Sequence, residues 1–387
     1  MRVGSRAVVL VIAVMAGTVC AAALDLRGID TSPMYYLAVT TLLSLGLYVA
    51  TSGIDMDEFR SQFGLVALAV TVGVAAKILL IFAVMYLVFG DPEFLLVAVA
   101  VAQIDPLSVA AIQAKSRMSP RAKTLLAAWA SFDDPITALC AVYAAAIIAG
   151  TPDGPGDLTL YGNGLTAFVL NLGLNLAFAG IVFICWHVVH VRPSRPASRR
   201  WAVRTVAVAG GLLSVLVIGS VAVYGSLWLG LAIIGLFCRP RWGSLLGRRV
   251  PAALVLAMFA AGMVLVDGID LVAGLVLGLA AYLAQVVVAF VLTVRKQWRG
   301  ERARLVLAQQ NGMTSIVLGL LIVPVVPGSI AILVPAVVVV NLVHAVANAV
   351  WDRIEPPVVG DTGPATLPVA PLRIGAHRPA NPETEVV

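Results

Sequence analysis

The sequence predicts an all-α polytopic membrane protein with about twelve transmembrane helices. Of its 387 residues, 60% are hydrophobic and only 12% are charged, and the mean hydropathy is +0.99. Soluble domains are roughly half apolar and about a quarter charged, so this chain has too few polar side chains to cover a water-exposed surface. The apolar composition also excludes disorder over most of the length. The surface of this protein is therefore expected to face lipid.

A helix needs about 20 apolar residues to cross a bilayer. Twelve stretches of the chain are apolar over about this length. These spans, numbered one to twelve, lie near 6–24, 33–53, 63–89, 92–114, 123–149, 164–190, 204–219, 221–238, 250–266, 268–293, 304–325 and 328–351. Spans seven and eight are almost continuous, and length alone places their division at Val221–Gly225. After Arg353 the composition changes to Pro, Gly, Thr and charged residues, which predicts a flexible tail over 355–387 behind a transmembrane domain of residues 1–354.

The basic residues give the orientation of the spans, because cytoplasmic segments of membrane proteins carry an excess of Lys and Arg. With the N-terminus in the cytoplasm, all of the 26 Lys and Arg residues fall in cytoplasmic segments except Arg27, which lies outside, and Lys77, which lies within span three. A wrong number of spans would destroy this alternation. We therefore expect both termini in the cytoplasm and the protein in the inner or plasma membrane. The net charge of +6 then belongs to the cytoplasmic loops, and no nucleic acid is expected as a partner.

The first span has a second interpretation. Arg2 and Arg6, the apolar run Ala7–Ala16 and the small residues Ala21–Ala23 are also typical of a secretory signal peptide. Cleavage would leave eleven spans and would not change the orientation of the others. Ala7–Leu24 is long enough to span the bilayer, which favours a retained helix.

Four charged side chains fall well inside predicted spans: Lys77, Asp105, Asp133 and Asp134. A charge at the centre of a transmembrane helix costs roughly 2.5–3.5 kcal/mol, against about 0.3–0.6 kcal/mol gained by a Leu or Ile. A structural ion pair between helices would account for Lys77 and one aspartate. It would not account for two adjacent carboxylates, which repel each other. Intramembrane ionisable residues are functional by default, so the pair predicts a functional site.

The aspartate pair lies in span five, within Ala130-Ser131-Phe132-Asp133-Asp134-Pro135. Desolvation and mutual repulsion both favour a proton on at least one of the two carboxyls, and the pair should titrate as a coupled unit. The same oxygens suit a small hard cation. Because a proton and a cation would compete for one site, the pair by itself predicts an exchange mechanism.

Span four is interrupted at Gln103-Ile104-Asp105-Pro106-Leu107-Ser108. A proline inside a helix removes a backbone hydrogen bond and disfavours helical geometry at the residue before it. Inside a membrane such backbone persists only where it lines a cavity or is buried in protein. Asp105 would lie at this break, near the positive end of the second half-helix, where a carboxylate is favoured. The simpler alternative is a proline kink with Asp105 near an aqueous mouth.

Span eleven carries a comparable break at Gln309-Gln310-Asn311-Gly312-Met313-Thr314-Ser315. Gln310, Asn311 and Thr314 are candidate site residues, although such side chains also serve as hydrogen-bonding contacts between helices. Spans three to five and ten to twelve run in opposite directions and place their breaks at matching positions. This pattern predicts an inverted repeat with two crossed, broken helices, the arrangement found at transporter binding sites.

These residues resemble the cation:proton antiporter superfamily, the sodium/proton exchangers of the Asp-Asp motif type. Asp105-Pro106 is similar to the family's Thr-Asp-Pro signature, with Ile104 in the place of the threonine, and Phe132-Asp133-Asp134 is similar to its Asp-Asp motif. The segment Gly46–Arg60 resembles the family's sequence before the core. The resemblance covers about residues 33–350.

The resemblance implies a core of residues 63–149 and 268–351 packed on a panel of the remaining spans, through which a homodimer forms. It implies that Asp134 is the essential cation and proton carboxylate, that Asp133 is the second carboxylate, and that Ile104 offers its backbone carbonyl. The family's additional hydroxyl ligand would fall at Ala130, with Ser131 next to it. No cofactor is implied, and the four cysteines show no spacing typical of a metal site or a disulfide framework.

One departure from the family pattern concerns the intramembrane cation. Members are expected to carry Lys or Arg in span ten, where this chain has no basic residue before Arg295 and Gln285 is the deepest amide. Lys77 lies in the middle of span three, the inverted-repeat counterpart of span ten. We therefore expect Lys77 to supply the cation and to pair with Asp133 or Asp105. The coupling ratio stays open.

Other functions fit the sequence less well. Intramembrane aspartic proteases place their second aspartate in a Gly-x-Gly-Asp motif on another helix, and none of the twelve predicted spans contains one, so no enzyme is predicted. A sodium-coupled symporter or organic-anion carrier would bind its ion through amides and hydroxyls but would not need a titrating carboxylate pair. A channel or sensor that has lost exchange is a third alternative.

His344, in span twelve with Asn341 and Asn348, is expected to form a hydrogen bond between helices. The sequence thus predicts exchange of Na+, K+ or Li+ for protons across a lipid bilayer, with a role in pH homeostasis.

Overall fold

The structure is a computed structural model. It describes residues 3–26, 28–29, 32–52, 54, 56–105, 109, 118–149, 165–191, 217–225, 227–238, 243–308, 313–323 and 325–354. All regular structure in these ranges is helical. The predicted tail 355–387, Gln310, Asn311 and the residues Pro106, Leu107 and Ser108 lie outside the described residues.

The helices are numbered α1 to α14 in chain order. The first seven are α1 Val3–Leu24, α2 Pro33–Ser52, α3 Met56–Leu68, α4 Val74–Phe89, α5 Phe94–Val101, α6 Pro120–Ala149 and α7 Leu165–Val191. The others are α8, described over 217–224, α9 Trp228–Phe237, α10 Gly243–Val264, α11 Leu271–Leu292, α12 Arg302–Leu307, α13 Met313–Ile322 and α14 Ser329–Ile354.

Five helices in the described part of the chain are long and apolar enough to cross a bilayer: Phe59–Phe89, Pro120–Ala145, Val169–His187, Leu271–Leu292 and Ser329–Trp351. Large apolar side chains are exposed along several of them, as expected for an integral membrane protein, whose outer surface meets lipid rather than water.

The predicted division of spans seven and eight at Val221–Gly225 includes the observed turn, which lies at the C-terminal end of that range. α8 runs through Val221 to residue 224, and the chain turns at Gly225 before the separate ten-residue helix α9 begins at Trp228. Hydropathy could not locate this boundary, because the apolar run continues through the turn. The turn is fixed by backbone hydrogen bonds, including that from the Leu227 N–H to the Ala222 carbonyl at 2.9 Å.

α1 packs closely along α10 through two glycines. A Cβ on Gly17 would collide with the Phe259 carbonyl, and a Cβ on Gly262 would collide with the Val14 carbonyl. The hydroxyl of Thr18 donates to the Gly262 carbonyl at 2.9 Å. Small residues allow this approach, which is the common way for helices to associate in lipid.

The inner helices share a common apolar core. α5, α11, α13 and α14 share one buried apolar cluster, and residues 96–102 of this cluster are entirely enclosed. Between α3 and α4 the helix widens into a π turn over Ala69–Gly73, one turn before Lys77. An extra residue in such a turn rotates the helix that follows. The π turn therefore contributes to the direction in which Lys77 projects.

A polar cluster joins the start of α6 to the connection between α11 and α12. Glu301 Oε1 accepts a hydrogen bond from the Ser119 N–H at 3.1 Å, and the Arg121 guanidinium lies 4.9 Å from the ring centroid of the buried Trp298. A carboxylate is favourable at a helix N-terminus because of the helix dipole. The helix that carries the aspartate pair is thus anchored at its first turn by residues close to the second predicted break.

Candidate ion site

The four intramembrane charges come together in the protein interior. Their relative exposures are 0% for Lys77, 1% for Asp105, 0% for Asp133 and 1% for Asp134. α6 contributes both carboxyls of the pair, α4 contributes the lysine, and the chain that follows α5 contributes Asp105. The predicted convergence of these residues is therefore present in the structure.

Asp133 is held by a cation and a backbone amide. Its Oδ2 lies 2.5 Å from Lys77 Nζ and accepts the Ile104 N–H at 2.9 Å. Trp129, one turn earlier on α6, lies beneath the ammonium, with its ring centroid 5.9 Å from Nζ. The expected pairing of Lys77 with an aspartate is thus observed, and the partner is Asp133.

The break in span four is supported by polar side chains from two other helices. α5 ends at Val101, and the Val109 N–H donates to the Asp105 carbonyl at 3.0 Å. In between, the Gln103 side chain accepts from the Thr137 hydroxyl at 2.8 Å, and the Gln103 carbonyl accepts from Gln285 Nε2 at 3.4 Å.

One peptide group lies at the centre of this support. The carbonyl of the Gln103–Ile104 peptide accepts from Gln285, and its N–H donates to Asp133. Ile104 therefore contributes its N–H to the cluster, and the role for its carbonyl that the family resemblance implies stays a prediction. Gln285 lies in the span where a basic residue was expected, and its side-chain amide donates to the backbone at the break.

Asp134 has a different environment. The charged groups that act on it are Asp105, Asp133 and Lys77, and the Thr314 side chain of α13 lies beside it. Its buried Oδ1 has no hydrogen-bond partner among the described residues, and the same holds for Thr314 Oγ1 and Ser315 Oγ. Burial of carboxylate and hydroxyl oxygens without partners is unfavourable. The oxygens of Asp134, Thr314 and Ser315 are therefore available to bind a ligand.

The charge balance of the cluster also favours binding of a ligand beside Asp134. Among the described residues, the three buried carboxyls share the cluster with the Lys77 ammonium, and ionisation of all three would place a net negative charge in a low-dielectric interior. Protons or a bound cation would relieve it. No three His, Cys, Asp or Glu side chains in the described ranges converge as metal ligands. A cation at Asp134 would therefore also need hydroxyl, carbonyl or water oxygens.

The remaining predicted site residues are placed as follows. Ser131 is buried on α6, and Pro135 inside the helix removes the N–H that the Ser131 carbonyl would otherwise accept. Sequence reasoning did not single out Thr137 or Trp129 as site residues. Their spacing of four residues from Asp133 places both on its face of the helix, and this was the available signal.

Comparison with known proteins bears on the fold. The sequence matches no protein-family model and no curated protein. Among solved structures, the chain is similar to the sodium proton antiporter MjNhaP1 from Methanocaldococcus jannaschii at pH 8, with a TM-score of 0.59 and 14% identity over 92% of this chain and 98% of that chain. A structure of MjNhaP1 from an electron microscopy map gives a TM-score of 0.60 and 16% identity, covering 94% and 100%.

At this level of identity the comparison shows the fold. The chain has the fold of a sodium/proton antiporter over nearly its whole length. The sequence-based prediction of this fold is therefore confirmed, whereas the number of spans and the inverted repeat stay predictions.

Proposed function

We propose that the protein exchanges a monovalent cation, Na+, K+ or Li+, for protons by alternating access, with cation and proton competing at the buried aspartate pair. The observation that carries the proposal is the environment of Asp134. Its buried carboxyl lies beside two further carboxyls and the Thr314 side chain, and its Oδ1 has no partner among the described residues. A site of this kind binds either a proton or a cation, but not both together. The antiporter fold is consistent with this use and with a transporter rather than an enzyme.

Each predicted site residue has a role in this proposal. Asp134 binds the transported ion, and Asp133 holds the helix break through Ile104 while Lys77 balances its charge. Asp105 adds negative charge to the site. The supporting oxygens come from the second break and from α6, and the residues proposed to supply them are Thr314, Gln310, Asn311 and Ser131.

A second candidate is a sodium-coupled symporter or organic-anion carrier. The observation in its favour is that the buried hydroxyls of Thr314 and Ser315 lack partners among the described residues, since hydroxyl oxygens can coordinate Na+ without titration. The buried carboxyl of Asp134 favours exchange, because a symporter does not need a group that changes protonation.

The wider organisation belongs to the same proposal. Residues 63–149 and 268–351 form the moving core, and the remaining spans form a panel for a homodimer in the inner or plasma membrane, with both termini in the cytoplasm. α7 supports the panel assignment, because most of its described side chains are apolar and exposed. Such a surface requires lipid or a partner subunit.

The test uses purified protein in sealed vesicles that enclose a pH-sensitive dye. An acid interior is imposed and Na+, K+ or Li+ is added outside, for wild type, Asp134→Asn and the control Asp91→Asn, which lies in an exposed turn. We expect one or more cations to make the wild-type and control interiors alkaline and the Asp134→Asn vesicles to stay silent. A wild type that moves no protons with any cation would overturn the exchange proposal and favour the symporter.

A further inference from the structure

The second helix break has polar support of its own, separate from the aspartate cluster. α12 ends at Leu307, and the next described helix, α13, begins at Met313. The last carbonyls of a helix have no donors within that helix, and a lipid-embedded protein offers little water to satisfy them. The Leu307 carbonyl accepts a hydrogen bond from Asn348 Nδ2 on α14 at 2.9 Å.

Asn348 is in turn oriented by His344, one turn earlier on α14. Asn348 Nδ2 lies 3.1 Å from His344 Nε2 and 2.9 Å from the His344 carbonyl. The Leu307 carbonyl can only accept, so the amide group facing it must be the nitrogen rather than the oxygen. The second amide hydrogen then points at the His344 acceptors. The His344 ring is buried and lies close to both the Asn348 amide and the Leu307 carbonyl.

We propose that His344 and Asn348 are a positioning pair, which fixes the end of α12 and thereby sets the affinity of the ion site for its cation. This inference rests on the proposed exchange function. Thr314, which lies beside Asp134, follows Leu307 by only seven residues. Leu307 and Thr314 thus flank the same break, and the position of the Leu307 carbonyl bears on the position of the Thr314 side chain. Within the described part of the chain, the Asn348 side chain contacts Leu307 and His344 and neither carboxylate of the pair, so it acts through the break.

Loss of the Asn348 donor should weaken cation binding more than turnover. One net hydrogen bond corresponds to about a three- to tenfold change in an equilibrium constant. For Asn348→Ala we therefore expect the KM for the cation to rise about three- to tenfold, while kcat stays within about twofold. His344→Ala should raise the KM by less, and the double variant should lose less than the sum of the two single effects, because both side chains meet at the Leu307 carbonyl and at each other.

The experiment measures the KM and kcat of cation-driven proton movement in dye-loaded vesicles, together with the rise in melting temperature that the same cation causes in detergent. His344→Gln, which keeps an acceptor for the Asn348 amide, should stay within about twofold of wild type. Val346→Ala, at an exposed position on the same helix, controls for side-chain truncation in α14.

The possible results separate the two proposals. A wild type that neither exchanges nor is stabilised by any cation overturns both. A responding wild type with an unchanged KM in Asn348→Ala overturns the positioning pair alone, as would a loss confined to kcat or to folded yield. If Asn348→Ala does not fold, the contrast between His344→Ala and His344→Gln decides: an equal KM in these two variants overturns the proposal.

Discussion

Replacement of Lys77 by methionine is expected to destabilise the protein by about 3–5 kcal/mol, which is typical when one member of a buried ion pair loses its partner. Both members are fully buried, and Nζ and Oδ2 are 2.5 Å apart. Without the ammonium, Asp133 keeps the Ile104 N–H and the neighbouring Trp129 indole but no cation. The Asp133 carboxyl must then either stay charged in the interior or take up a proton. A protonated carboxyl would accept the Ile104 N–H less strongly.

The pair can be isolated with a double-mutant cycle. Asp133→Asn leaves the Lys77 ammonium buried without its anion and should cost a similar 3–5 kcal/mol or so. Lys77→Met combined with Asp133→Asn removes both charges, and the double variant is expected to lose clearly less than the sum of the single losses. The difference should amount to about 3 kcal/mol of coupling, at the upper end for residues in direct contact.

The assay is denaturation of the purified protein in detergent, followed by loss of helical signal. Leu79→Met, at an exposed position on α4, is the matched control and should stay within about 0.5 kcal/mol of wild type. Our reasoning is refuted if Lys77→Met is as stable as this control, or if the two single losses add in the double variant.

Three further predictions concern the site, the anchor of α6 and the scaffold. Thr314→Val keeps the shape of the side chain and removes its hydroxyl. It should raise the KM for the cation about threefold or more in the vesicle assay, because the site loses one oxygen ligand. An unchanged KM would exclude this side chain from the site. Glu301→Gln should cost about 0.3–1 kcal/mol in denaturation experiments, because the start of α6 loses a favourable charge, and the loss should shrink at high salt. Gly262→Ala should cost about 1–3 kcal/mol, because its Cβ would meet the backbone of Val14. Gly180→Ala is its control, since a Cβ there meets open space, and equal stability of these two variants would contradict the close packing of α1 on α10.

Candidate site residues could be predicted from the sequence where the free energy of placing that residue type inside a membrane helix is high. An ionised aspartate inside an apolar span is unfavourable, so Asp105, Asp133 and Asp134 were conspicuous in the sequence. The proline after Asp105 likewise made a break in span four predictable. Thr137 and Trp129 were not conspicuous, because a hydroxyl or an indole is tolerated in a membrane helix whether or not it contacts a site.

The sequence by itself determined the class of this protein and the positions of its costly residues, because the free energy of transfer into lipid acts on each span almost independently of its neighbours. Only the tertiary structure decided the partners. It pairs Lys77 with Asp133 and joins Gln285 to the Gln103 carbonyl, and it places Asn348 against the Leu307 carbonyl. The physical reason is that a hydrogen bond or ion pair depends on distances of about 3 Å between side chains that are far apart in the chain. Helical periodicity gives the face on which a residue lies, and it does not give the residue that lies opposite.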